Sequence, residues 1–276
     1  MQVDLAATLT DRDLRALATL VYERAGISLH DGKRALVTAR LQKRVRAGGF
    51  DNFSDYVTFV QTDPTGDEVV ALLDAIATNH TSFYREPQHF ELLASTIAPG
   101  MGPVGLDVWS AACSSGEEPY SIAMTIADAL DADPRGRARI FASDLSTKAL
   151  RTARGGVYGM DRVDGLPRDV LKRHFEKGMG ARAGLVRVHP RLLAAVTFER
   201  LNLLEIGDLG RRFEVIFCRN VMIYFDRTIQ QKVVSMLERH LKPGGWLLIS
   251  HSESLNDIEH DLRWVAPAVY RRKESR

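Results

Sequence analysis

Cysteine is scarce in this chain: Cys113 and Cys218 are the only two among 276 residues. That excludes a disulfide framework and points to a reducing, cytoplasmic compartment; neither cysteine stands in a metal-ligand spacing, so no metal is expected. A dominant charge of one sign is also missing. Lys and Arg number 37 against 35 Asp and Glu, a formal net charge of +2, so no nucleic-acid partner is expected and any basic surface must be local. No apolar run approaches the ~20 residues of a membrane span, which excludes direct membrane insertion. Met1-Gln2-Val3-Asp4-Leu5-Ala6 lacks the basic start and apolar core of a leader peptide. Glycine is short where a dinucleotide site would need it: the small-residue turn at 111–116 has Gly116 alone, not the three of the nicotinamide fingerprint.

What is present is an ordinary globular composition, 45% hydrophobic and 26% charged, in a length that allows one large or two modest domains. Thr10 with Asp13 three residues on is a helix start. Leu14, Leu17, Ala18, Val21 and Tyr22 then recur at helical spacing, and Gly26 ends the helix. Further helices are predicted at about 33–47, 53–60 and from about 65, so residues 1–77 read as an all-α N-terminal domain. On the second of these helices Lys33, Arg40, Lys43 and Arg44 share an arc of about 100°, with no acid on it, beside an apolar stripe of Val37, Leu41 and Val45. That basic stripe is either a solvated face or a docking face for an acidic partner.

A linker at 78–90 is expected to contribute site residues, followed by an α/β domain over 91–276. Strands are predicted at 106–110, 139–143, 196–200, 213–218 and 245–250, with a closing pair around 264–271, and helices at 117–130, 147–154 and 228–240. This is the rhythm of a mostly parallel, doubly wound sheet. A glycine-rich tip at 178–184, between His174-Phe175-Glu176-Lys177 and Leu185-Val186-Arg187-Val188, reads as a β-hairpin within an insertion at about 157–195. The insertion is either a surface excursion or a second contact surface. The chain ends soon after the last strand, so no appended repeat domain is expected.

In such folds a ligand binds outside the carboxyl ends of the strands. Those ends carry the 111–116 turn with Glu117 and Glu118 after it, Asp144, the pair Asn202-Leu203, and Arg219-Asn220. An acid after the second strand suits ribose hydroxyls, and an amide with an apolar neighbour suits an adenine. Two adjacent acids oppose a pyrophosphate and favour a ligand with a cationic part; which of the two makes the contact stays open.

Five stretches carry a resemblance. They are Thr78-Asn79-His80-Thr81-Ser82-Phe83-Tyr84-Arg85-Glu86, the run from Trp109 to Ser121, Ala142-Ser143-Asp144, the run from Cys218 to Phe225, and His251-Ser252-Glu253-Ser254. In these the chain resembles the chemotaxis receptor methyltransferases, the CheR family of protein-glutamate O-methyltransferases. The resemblance implies a class I, Rossmann-like S-adenosylmethionine-dependent methyltransferase domain, with S-adenosylhomocysteine as product. It also implies methyl transfer to glutamates on the cytoplasmic helices of chemoreceptors, which the basic stripe and the β insertion would contact. Carried over by motif, Asn79, Thr81, Arg85, Glu118, Asp144, Asn202, Leu203, Arg219 and Asn220 would line the cofactor site, with Glu118 preferred to Glu117. Arg85 and Tyr224 would hold the acceptor carboxylate. Two other classes stand beside this reading: a non-catalytic, cofactor-sensing receptor scaffold, and a nicotinamide oxidoreductase, which the missing glycines oppose.

Overall fold

The structure, a computed structural model, describes residues 9–100 and 105–274; the opening stretch 1–6, read for a leader, lies outside the described residues. Thr10 Oγ1 accepts from the Asp13 N–H at 3.2 Å and starts helix α1 (Asp11–Ala25), which Gly26 ends at a left-handed φ of 68°. α2 (Arg34–Ala47), α3 (Phe53–Thr62) and α4 (Asp67–Ile76) follow. Asn52 caps α3 by accepting from the Asp55 N–H at 2.9 Å. The apolar faces close on one another, burying Leu17, Val21, Val37, Leu41, Tyr56 and Leu72. These helices, together with Tyr224–Ile229, form one of two compact units.

Within that unit most of the basic stripe is occupied. Arg44 Nε donates to Glu68 Oε1 at 3.0 Å, Arg44 Nη2 pairs with Glu68 Oε2, and the Tyr56 hydroxyl donates to Glu68 Oε1 at 3.0 Å. Arg40 donates to the Ile76 carbonyl, satisfying an orphan acceptor at the end of α4, and to Thr78 Oγ1 at 3.1 Å. Lys33 Nζ donates to the Ser28 carbonyl at 3.0 Å. Lys43 is exposed. Helical periodicity sees only the charges on its own helix, and Glu68 comes from α4.

The second unit begins at Asn79. After α5 (Pro87–Leu92) and a π-helical turn at Leu93–Ile97 come β1 (Leu106–Ala111), α6 (Glu117–Leu130), β2 (Ala138–Asp144) and α7 (Thr147–Gly155). The chain then leaves the main sheet for β3 (Val157–Gly159), α8 (Arg168–His174), β4 (Phe175–Lys177), β5 (Leu185–Val188) and α9 (Pro190–Leu193). It returns with β6 (Val196–Arg200), β7 (Phe213–Cys218), α10 (Arg227–His240), β8 (Leu241–Leu248), β9 (Arg263–Ala266) and β10 (Val269–Arg271). The strands form a seven-stranded sheet in the order β6-β2-β1-β7-β8-β10-β9, parallel through β8 and antiparallel at β10 and β9. This is the doubly wound class I methyltransferase architecture expected. β1 is buried along its whole length, as a central parallel strand covered on both faces must be. No helix among the described residues is long and apolar enough to cross a membrane.

Two details differ from the sequence reading. The excursion is not a lone hairpin: β3 joins β5 and β4 in a three-stranded antiparallel sheet. β3 is only three residues long, too short to show an alternation. β8 begins at Leu241, four residues before the predicted start, because Lys242 and Pro243 interrupt the apolar run that signals a strand.

Arg44 therefore acts inside its own domain. Arg44→Glu sets a carboxylate against Glu68 and should lower the melting temperature of the full chain by ~2 °C, an effect of roughly 1 kcal/mol, measurable by circular dichroism.

Candidate active site

Register puts the strand ends side by side. Ala111 pairs with Ser143 on one side and Cys218 on the other, Asp144 pairs with Arg200, and Phe217 pairs with Leu248. Asp144 at the end of β2 and the residues that follow the other strands, Asn202, Ala112 to Gly116, Arg219 and Ser250, are thus delivered to one edge. β1 has β2 on one flank and β7 on the other, so this edge includes the point where the winding reverses.

The turn after β1 is held open by Asp144. Its Oδ2 accepts from Ser114 N at 2.7 Å and its Oδ1 from Ser146 N at 2.8 Å. Ala112, Ser114 and Gly116 all have positive φ, at 68°, 50° and 99°. Gly116 also has no room for a side chain, since an added Cβ would lie 2.9 Å from Ala153 and from the Tyr158 hydroxyl. At these positions the backbone turns tightly into α6.

The acids that open α6 have different partners. Glu117 is buried, paired with Arg162 from the excursion and accepting from Ser115 Oγ at 2.7 Å. Glu118 accepts from Ser110 Oγ at 2.7 Å and from Arg219 Nη1 at 2.9 Å. Arg219 is buried and also reaches Glu86 Oε2 at 3.0 Å and the Arg85 carbonyl. Burial pushes the Glu118 carboxyl above its usual range, with Arg219 and the Ser110 hydroxyl offsetting part of the rise. Burial also acts on Glu86, but the Ser250 hydroxyl and Arg219 outweigh it and leave Glu86 below its usual range.

Residues 79–86 strap this edge. The Asn79 carbonyl accepts from Ser114 Oγ at 3.1 Å, and its amide donates to Ser146 Oγ at 3.3 Å. The Thr81 carbonyl accepts from Arg162 Nη2 at 3.2 Å, and Tyr84 N donates to Ser121 Oγ at 3.0 Å. The Arg85 side chain is half-buried and donates to the His80 carbonyl at 3.0 Å. On the far side Asn220, at φ 58°, donates to Ser250 Oγ at 2.6 Å, while its N–H donates to Glu253 Oε2 at 3.2 Å. Leu201 N donates to the Asp144 carbonyl at 3.1 Å, which fixes Asn202 and Leu203 next to the second strand end.

Asn79, Thr81, Arg85, Glu118, Asp144, Asn202, Leu203, Arg219 and Asn220 therefore belong to one unit and stand along one edge of its sheet. Tyr224 groups with the helical unit, where its carbonyl accepts from Ser28 N at 3.1 Å and Lys33 Nζ lies 5.9 Å from its ring centroid. Glu86, Ser110, Arg162, Ser250 and Glu253 were not anticipated as site residues. A buried arginine requires acidic partners, so Arg219 at a strand end, with Glu86 closing the 78–86 stretch, is the signal that points to Glu86. Cys113 and Cys218 are buried, and burial holds both thiols far above their usual range, so neither is a nucleophile at neutral pH.

Residues 79–270 match the family model described as "CheR methyltransferase, SAM binding domain", and residues 12–77 match "CheR methyltransferase, all-alpha domain". The chain belongs to the CheR methyltransferase family. It is 41% identical over 271 residues to the chemotaxis protein methyltransferase of Salmonella typhimurium, covering 98% of this chain and 93% of that one. It is 41% identical to the Escherichia coli (strain K12) protein of the same name, covering 98% and 94%, and 34% identical to that of Borreliella burgdorferi, covering 98% and 97%. The chain is a methyltransferase of a chemotaxis family, and S-adenosylmethionine is its cofactor.

The donor set suits that cofactor. Glu86, Arg219 and Glu118 together carry one uncompensated negative charge when both acids are ionised, and Asp144 adds another nearby. A sulfonium and an ammonium are favoured there, and a pyrophosphate is not. Arg219 is central to this balance. Arg219→Met leaves the buried Glu118 and the half-buried Glu86 without their cation and should cost ~3 kcal/mol in urea unfolding. Adding Glu86→Gln should recover part of that loss; a double mutant no more stable than the single would show that the two groups are not coupled.

Proposed function

We propose that this protein transfers the methyl group of S-adenosylmethionine to glutamate side chains on the cytoplasmic helices of methyl-accepting chemotaxis receptors, forming glutamate methyl esters. The observation that carries this reading is the contrast between two arginines at one sheet edge. Arg219 is buried and committed to Glu86 and Glu118. Arg85 sits on the strap with its guanidinium held only by a neutral carbonyl, that of His80, and makes no ion pair among the described residues. A guanidinium in that condition receives a carboxylate in a fixed fork.

The chemistry asks for little else. A glutamate acceptor with an unperturbed pKa of ~4.3 is ionised at neutral pH, so no general base is needed. When bound, the cofactor supplies a methyl group made electrophilic by its sulfonium. What this chain's residues do is bind and align. Glu118 favours the cationic end, Asp144 accepts from ribose hydroxyls, and Asn202 with Leu203 takes the adenine. Asn79, Thr81, Arg219 and Asn220 complete the lining. Arg85 orients the acceptor oxygen at near-attack distance. Tyr224 rests on the motif at 218–225 and is assigned a single hydrogen bond to the acceptor, which steadies the carboxylate without quenching its charge.

Incubation of the full chain with labelled S-adenosylmethionine and receptor-bearing membranes should yield alkali-labile methyl groups. Arg85→Ala should lower that rate by about 100-fold or more, a loss typical of removing one aligned donor, while circular dichroism stays unchanged. Tyr224→Phe should lower it by roughly 10-fold. No incorporation with any of several receptors would overturn the reading.

Receptor docking is proposed to involve the basic helix and the small sheet. Because Arg40 and Arg44 serve their own domain, Lys43 is the residue that isolates docking. Lys43→Glu should raise the KM for receptor severalfold, with no change in melting temperature or in cofactor affinity. An unchanged KM would reduce Lys43 to a solvated charge.

A further inference from the structure

At the end of the Arg85 strap Glu86 meets two histidines, His89 and His251, that the methyl-transfer reading leaves unused. Glu86, His89 and His251 each offer one ligand atom, and those atoms all lie within 4.8 Å of one another. Glu86 Oε2 is 3.6 Å from His89 Nδ1, and the two imidazole ring centroids are 5.0 Å apart. His89 is only 1% exposed, and neither of its ring nitrogens has a hydrogen-bond partner. A buried imidazole with both nitrogens unsatisfied is costly unless something binds it. His251 is exposed, so the group is reachable from solvent.

We propose that Glu86, His89 and His251 form a site for a divalent transition-metal ion of the zinc class, and that its occupancy competes with Arg219 for Glu86. Two imidazoles and one carboxylate are a three-protein-ligand set that leaves a fourth position open to water. With bonds of ~2.0–2.1 Å, tetrahedral ligand atoms stand about 3.3 Å apart. The Glu86–His89 edge is nearly that already, and rotation of the exposed His251 side chain closes the rest. Nitrogen donors select zinc, nickel or copper over magnesium and calcium, which prefer all-oxygen sites. Glu86 is also well supported: its Oε1 accepts from Ser250 Oγ at 2.7 Å, and its Oε2 from His251 N at 3.3 Å.

The competition follows from the same carboxylate. Glu86 Oε2 also meets Arg219 Nη2 at 3.0 Å, and the guanidinium charge opposes a cation there. A bound metal draws electron density from Glu86 and weakens its hold on Arg219. Arg219 in turn holds Glu118 and the Arg85 carbonyl. Metal binding is thereby coupled to the cofactor site, and linkage requires the coupling to be reciprocal.

No local pattern signals this group, because His251 is separated from Glu86 by 165 residues. The test is titration of the full chain with zinc alone, with magnesium as control, followed by competition with a chromophoric chelator. One zinc per chain is expected, with His251→Gln weakening it by ~10-fold or more and magnesium showing no binding. His251 is exposed, so that variant keeps the fold; His89→Gln, checked by circular dichroism, should weaken zinc as much. Equal zinc affinity in the wild type and in His251→Gln, or no stoichiometric binding at all, would overturn the site. Saturating zinc should also weaken S-adenosylhomocysteine binding by about fivefold or more, whereas an unchanged affinity would overturn the link through Arg219.

Discussion

One buried cation organises this edge of the sheet. Arg219 leaves the end of β7 and meets Glu118 on α6, Glu86 on the strap and the Arg85 carbonyl. Taking a guanidinium and two carboxylates out of water is expensive, and only close pairing offsets it. The group therefore has little freedom to rearrange: separate Arg219 from its partners and the buried Glu118 is left without its cation. What it secures is positional. A strand end, a helix start and a segment more than a hundred residues away are held in one arrangement. The cluster uses only the backbone carbonyl of Arg85, so the Arg85 guanidinium takes no part in it and donates to the His80 carbonyl instead.

The sheet supplies the rest of the precision. Parallel strands in register end at a common level, so the residues immediately after them come together without long-range design in the loops. Asp144 shows how a loop is then fixed. Its two oxygens accept from Ser114 N and Ser146 N at 2.7 and 2.8 Å, so one carboxylate shapes the turns after two neighbouring strands. Glu253 does the same on the other flank, accepting from Ser250 N at 2.8 Å and Asn220 N at 3.2 Å.

Much of this was legible in the chain. β6 (Val196–Arg200), β7 (Phe213–Cys218) and α6 (Glu117–Leu130) have the predicted bounds, because each is a strong periodic or apolar run closed by clear punctuation. The strand-end residues were legible for the same reason: once the strands are placed, the fold dictates where the site must be. Pairings were not. That Glu118 belongs to Arg219 and Glu117 to Arg162 depends on which way adjacent helical positions face in three dimensions, about 100° apart. Glu68 beneath the basic stripe, Glu86 beside Arg219 and the third strand of the excursion are all contacts between segments distant in sequence. Local pattern carries no information about such contacts.

Backbone conformation points to what the edge is for. Tyr84, Glu86, Ala112, Ser114 and Asn220 all have φ between 50° and 68°, a region that costs a side-chain-bearing residue roughly 1–2 kcal/mol. They lie within the strap, the first turn and the β7 turn, all at the same edge. Such conformations persist only where surrounding bonds over-determine them, and here they do: Ser121 on Tyr84, Arg219 and Ser250 on Glu86, Asp144 on Ser114, Glu253 on Asn220. The proposed methyl transfer to an ionised carboxylate would need no proton transfer and no residue nucleophile; it would depend on alignment, which a strained, over-determined edge provides. The folding stability given up at these turns is consistent with a site set before its ligands arrive, so that less of their binding energy is spent on ordering the protein.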